Sequence, residues 1–237
     1  MWFRMHRLDI DYGVTLAEPV FELSTMGHKV FAEFYRALNP RFPTSLADLK
    51  VSQASTYEDF SYVIDVFGEN GTLRIGAQGL SAAFRRLSSE EHLKLISDCI
   101  ALSEEALRTI LPESRLKERK FNVLSWLKCE GGAEAVKDLL QRHGSQGIPI
   151  GVGDFAIEDL DYRLGTDFTN KSEGWAGKLA LEMSALLEAD LYYRIETAYL
   201  DNSHYSGLES QIAHTRQLYF DILRRFELEP AEATDDG

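Results

Sequence analysis

The sequence predicts an α+β protein of two pseudo-repeated halves, each running strand, helix, antiparallel strands and long helix, with a curved antiparallel sheet covered by helices. Three observations predict it. Apolar residues recur at helical spacing in some segments, apolar and polar residues alternate with period two in others, and the order of the two kinds repeats after residue 112.

In the first half (1–112), residues 14–24 read as a strand. Residues 26–37 read as a helix, because Val30, Phe31, Phe34 and Leu38 step along one face and Asn39-Pro40 follows. Residues 46–54, 57–67 and 72–86 are three extended stretches. The turn Gly68-Glu69-Asn70-Gly71 predicts a hairpin, since Asn and Gly tolerate positive φ. Ser88 and Glu91 form an S-x-x-E capping box. Leu93, Ile96, Ile100, Leu107 and Ile110 then mark one face of a long helix ending before Pro112.

The second half (113–228) runs the same course. Residues 119–128 read as a strand, and 133–142 as a helix burying Val136, Leu139 and Leu140. After a glycine-rich loop (144–153), residues 156–164, 178–187 and 191–200 have extended character, although the Ala, Leu, Glu and Met content of 179–187 also suits a helix. The last stretch puts Leu191, Tyr193, Ile195, Thr197 and Tyr199 on one face. A closing helix over 207–226 carries Leu208, Ile212, Tyr219, Ile222 and Phe226 as its stripe. Residues 229–237 read as a disordered acidic tail. In shape, the arrangement resembles the duplicated saddle of TATA-binding-protein (TBP-like) folds, or the helix-grip fold, with the two halves packed as one unit.

Composition narrows function. The 25 Lys and Arg against 38 Asp and Glu give a net charge of −13, which repels phosphate backbones, so direct nucleic-acid binding is not expected. Two scattered cysteines, Cys99 and Cys129, make no disulfide framework and fit a reducing, cytoplasmic setting. No apolar run is long enough to span a bilayer, and the basic N-terminus lacks the apolar core of an export signal.

Motifs for chemistry are weak. No histidine pair has metal-ligand spacing, so no metal or cofactor is expected; no G-x-S-x-G elbow occurs, and no catalytic residue is assigned. The glycine-rich loop follows a helix and precedes a strand, the wrong order for a nucleotide fingerprint. Asp159 and Asp161 fall on one strand face and could share a cation in a metal-assisted hydrolase, but a solvated sheet face explains them better. The residues singled out for a partner or ligand are Trp175, Tyr193, Tyr199 and His214, from an aromatic set that also includes Tyr192 and Tyr205. The closing run His214-Thr215-Arg216-Gln217-Leu218-Tyr219-Phe220-Asp221-Ile222-Leu223, with the order of elements, resembles a sporadically distributed, uncharacterised bacterial family of about 250 residues; the family's proline-rich opening is absent here. The resemblance implies a bacterial cytosolic protein, sometimes found among mobile or defence-type genes, and carries over no catalytic residue. The function expected is therefore non-enzymatic binding or assembly through another protein, or through further copies of the chain. The alternative is a carrier or sensor of a small apolar ligand held between sheet and helices.

Overall fold

The computed structural model describes residues 1–52, 56, 59–87, 90–144, 163–186 and 188–231. Its strands are β1 (Trp2–Leu16), β2 (Leu49–Ser52), β3 (Ser61–Val66), β4 (Gly71–Gly76), β5 (Gly79–Leu87), β6 (Leu116–Cys129), β7 (Arg163–Asn170), β8 (Trp175–Met183), β9 (Leu191–Leu200) and β10 (Glu229–Pro230). Its helices are α1 (Gly27–Leu38), α2 (Glu90–Ile110), α3 (Gly132–Gly144) and α4 (Leu208–Arg225).

The sheet order is β2-β3-β4-β5-β1-β6-β9-β8-β7, antiparallel throughout, with β10 added parallel to the start of β1. The long β1–β6 pairing, from Phe3↔Cys129 to Leu16↔Leu116, joins the two halves at the middle of the sheet. One row of directly opposed residues, Leu49, Ile64, Leu73, Ala82, Tyr12, Phe121, Thr197, Gly177 and Phe168, crosses every strand of that path on a single face. All four helices pack on this face. Val30 and Phe34 of α1 and Ile96, Ile100 and Leu107 of α2 join one core with Leu8, Ile10, Tyr12 and Phe84, while Val136 and Leu139 of α3 and Tyr219 and Leu223 of α4 join a second with Leu127, Leu181 and Tyr193. The alternate residues of each strand point away from the helices.

Several elements differ from the sequence reading. The first strand starts at Trp2 rather than at residue 14 and stops at Leu16, and Phe21–Thr25 is a 3-10 turn. Its core alternation of Leu8, Ile10, Tyr12, Val14 and Leu16 was masked by the charges of Asp9 and Asp11 between them. The stretch 72–86 is two strands, β4 and β5, with a turn at Ala77-Gln78. The β3–β4 hairpin forms, but Phe67 (φ 56°) and Gly68 (φ 65°) carry the positive φ, while Gly71 is extended. The ambiguous stretch 179–187 is strand as far as Met183. On α4 the buried stripe is Gln211, Thr215, Tyr219 and Leu223, half of it polar, because the helix lies over strand hydroxyls rather than over a purely apolar surface. Residues 229–237 are not disordered at their start. Glu229 and Pro230 pair with Trp2 and Phe3, the Ala231 amide donates to the Phe3 carbonyl at 2.8 Å, and Leu228 is fully buried. The Ser88 capping box, the loop 145–153, Asp159 and Asp161 lie outside the described residues. Among the described residues no helix is long and apolar enough to cross a membrane.

Candidate functional site

Three of the four residues singled out from sequence meet at one place. Trp175 and Tyr199 are directly opposed on β8 and β9, and His214 comes down on them from α4. The His214 ring stacks on Tyr205 at 4.0 Å and 19° and meets the Trp175 ring edge-on at 4.7 Å. Its Nδ1 lies 2.7 Å from the Tyr199 hydroxyl. That hydroxyl is also 2.9 Å from Thr215 Oγ1, which in turn is 2.8 Å from Thr197 Oγ1. Trp175 Nε1 donates to Glu173 at 2.8 Å. Tyr193 is not part of this cluster. It shares the inward face of β9 with Tyr199, but the two lie six positions apart along the strand, about 20 Å. Its hydroxyl donates to the Tyr219 carbonyl at 3.1 Å inside the second core.

The cluster reads as packing. Its rings touch, and its hydroxyls are consumed by one another. Burial pushes the Tyr199 hydroxyl up to about 12, and burial holds His214 below its ordinary 6.5, partly opposed by the Glu173 carboxylate. A histidine whose folded-state pKa is depressed resists the proton that the unfolded chain takes up as pH falls through 6.5. Stability from this site is therefore complete above about 6.5 and is lost as pH falls from there toward the folded value. The expected result is a melting temperature that drops more between pH 7 and pH 5 in the wild type than in His214→Asn, which keeps a polar group near Nδ1 but does not titrate.

Other sequence candidates are structural. Cys99 and Cys129 are buried, with thiols pushed up to about 12 by burial, so neither is a nucleophile. Among the described residues, no group of three or more His, Cys, Asp and Glu could hold a metal ion. Between α2 and the sheet, a cavity of about 10 Å³ lies beside Leu16, Glu104, Leu107 and Leu111, room for a single water. A hollow of about 480 Å³ beside Met1 is open and has Glu130, Asp138, Gln141 and Arg142 in its wall. The first is too small and the second too open and charged for a small apolar ligand.

The arrangement that the sequence reading missed lies on the other face of the sheet, which among the described residues no helix covers. At its centre, Asp9 on β1 is only 3% exposed. It accepts from Arg7 Nε at 3.0 Å, from Arg7 Nη2 at 2.5 Å and from the Arg86 backbone amide at 2.8 Å. That amide is aimed by a bulge: the β1–β5 register slips between Leu8 and Ile10, and Arg86 takes φ 59°. Arg85 pairs with Asp11 at 2.5 Å, and Asp11 accepts from Asn122 Nδ2 at 3.1 Å. Arg194 Nε donates to Asn122 Oδ1 at 2.8 Å, and its Nη2 reaches Glu196 at 2.9 Å. A continuous polar chain thus runs across β5, β1, β6 and β9.

Beside it lies an apolar island. Leu124 and Trp126 on β6 stand next to Tyr192 on β9, with Trp126 directly opposite both Arg7 and Tyr192. The Trp126 and Tyr192 rings are 5.2 Å apart, and the Arg7 guanidinium lies 4.6 Å over the Trp126 ring. Arg7, held charged by its bonds to Asp9, is thereby fixed in place, and Arg194, Glu182 and Arg163 complete the border. The signal in the sequence was the period-two alternation Arg7, Asp9, Asp11. Its partners lie far along the chain, with Asn122 removed from Asp11 by 111 positions.

No protein-family model matches the chain, and no curated protein matches it. Among solved structures the chain is similar to Methanococcus jannaschii TBP, with 10% identity, a TM-score of 0.32, and 96% of this chain and 99% of that one covered. It is also similar to the rolling circle replication initiator protein from Geobacillus stearothermophilus, with 10% identity, a TM-score of 0.34, and 99% and 90% covered. At these TM-scores neither neighbour assigns an activity to the chain.

Proposed function

We propose that the chain is a non-catalytic binding protein that docks another protein on the open face of its sheet. The observation that carries this reading is the island of Leu124, Trp126 and Tyr192 inside a border of fixed charges. Binding energy at protein interfaces concentrates in Trp, Tyr and Arg near the centre of the contact, ringed by polar groups that keep water out. The border is also pre-organised, since Arg7, Arg85 and Arg194 are already held by Asp9, Asp11 and Glu196, so little side-chain entropy is lost on docking. The likeness of the closing helix to a bacterial family found among mobile or defence-type genes supports a role in such a system.

The test is native mass spectrometry of the chain purified from its own host. A stoichiometric partner is expected on the wild type and is expected to be lost from Trp126→Ala, whose removal of an interface aromatic costs about 2 kcal/mol or more of binding. The same variant is expected to melt within about 1 kcal/mol of the wild type, because the ring is only half-buried. A partner retained by Trp126→Ala would show that docking occurs elsewhere.

A further inference from the structure

The chemistry of the partner follows from how charge is distributed, and the inference rests on the docking reading above. By strand register, ten basic and seven acidic side chains point to the open face, whereas the whole chain has 25 basic and 38 acidic residues. Outside the face, the balance is therefore 15 against 31. On this face bases outnumber acids, the reverse of the balance over the rest of the chain. Its acids are also largely cancelled in place, by Lys50–Asp65, Lys120–Glu118 and Arg163–Glu182 pairs in addition to the central chain. By contrast Arg4 on β1, opposite Lys128 and next along the face from the Arg7–Trp126 pair, makes no ion pair with a described carboxylate, whereas Lys178 on β8 sits between Asp167 on β7 and Glu196 on β9.

An acidic surface approaching this molecule is repelled from its other sides and accepted here. A basic one is drawn to those other sides and kept off the island. We infer that the partner is a protein presenting carboxylates around an exposed apolar or aromatic side chain, which lands on Leu124, Trp126 and Tyr192 while a carboxylate reaches Arg4 at the border. A nucleic acid fits less well. Phosphate recognition draws on several uncommitted bases, and here most are already paired while Asp11 and Glu196 occupy the central row.

The experiment uses the full chain and three fluorescent probes, namely a random glutamate–tyrosine copolymer, polylysine and a short DNA duplex, each titrated by anisotropy at two salt concentrations. The copolymer is expected to bind the wild type, to weaken about tenfold in Trp126→Ala, and to weaken about threefold in Arg4→Glu and at higher salt. Polylysine binding is expected to ignore Trp126→Ala. The inference is overturned if copolymer binding is absent or indifferent to both variants, if polylysine binding depends on Trp126, or if the duplex binds more tightly than the copolymer. Thermal melting of both variants confirms that they fold. If the host partner is lost from Trp126→Ala but proves to have a basic contact surface, the inference fails and the docking reading stands. If the partner is retained by that variant, the docking reading itself fails.

Discussion

Replacing Glu104 by alanine is expected to cost about 3–5 kcal/mol of stability, a fall of roughly 10 °C in melting temperature for a chain of this size. Glu104, on α2, is buried against the sheet. Arg119 on β6 donates to it through Nε at 2.6 Å and Nη2 at 2.8 Å, the Tyr12 hydroxyl on β1 donates a further short hydrogen bond, and Arg108 approaches at 3.3 Å. Burial alone would push this carboxyl up, but the bonds from Arg119 and Tyr12 outweigh it and hold Glu104 below the ordinary carboxylate range. The bond to Glu104 in turn holds Arg119 charged, and burial raises the Tyr12 hydroxyl well above its usual value. Removing the carboxylate leaves an uncompensated guanidinium with about a tenth of its side chain exposed. The double variant Glu104→Leu/Arg119→Met, which removes both charges, is expected to recover most of the loss. Because the folded-state pKa of Glu104 is depressed, this contribution is present above the unfolded carboxylate value and fades as pH falls through the folded one. Urea melts of the single and double variants at neutral pH check the first claim, and the same melts at acid pH check the second.

The second large effect is expected at Gly79, the first residue of β5. Its φ of 141° is in the region that favours glycine, and a Cβ there would overlap the carbonyl oxygen of Val14 on the neighbouring β1. That oxygen belongs to backbone held in the central pairing, where the Leu16 amide donates to the Gln78 carbonyl at 2.8 Å, so it cannot move aside cheaply. Gly79→Ala is therefore expected to cost about 3 kcal/mol or more by prying β5 from β1 just before the core residues Leu80, Ala82 and Phe84. Gly68 serves as the control. It too has positive φ, at 65°, but a Cβ there meets nothing within 4 Å, so Gly68→Ala is expected to lose only the backbone term of about 1–2 kcal/mol. Similar losses in the two variants would show that the contact with Val14 does not matter.

How much of this was legible in the sequence depends on how far each signal reaches along the chain. The helices α1, α2 and α4 and the β3–β4 hairpin were readable because their evidence is local, in residues three, four or two positions apart. The strand β1 was missed over most of its length because its outward positions are charged. Those charges are the start of the open-face chain. The polar stripe of α4 was unreadable because Gln211 and Thr215 look solvent-facing until Tyr199 and Thr197 are placed beneath them. Of the four candidates, the structure places Trp175, Tyr199 and His214 together, since Trp175 and Tyr199 are opposed strand residues, and places Tyr193 apart from them farther along the same strand face. The open-face residues Arg7, Arg85, Asn122 and Arg194 come from four strands whose order in the sheet follows no local pattern.

The most direct test of docking on the open face is photo-crosslinking in the native host, with p-benzoylphenylalanine placed at Tyr192 or, as control, at the exposed Glu105 on α2. A single discrete adduct from position 192 and none from 105 is the expected result. No adduct from 192, or the same adduct from both positions, would contradict it.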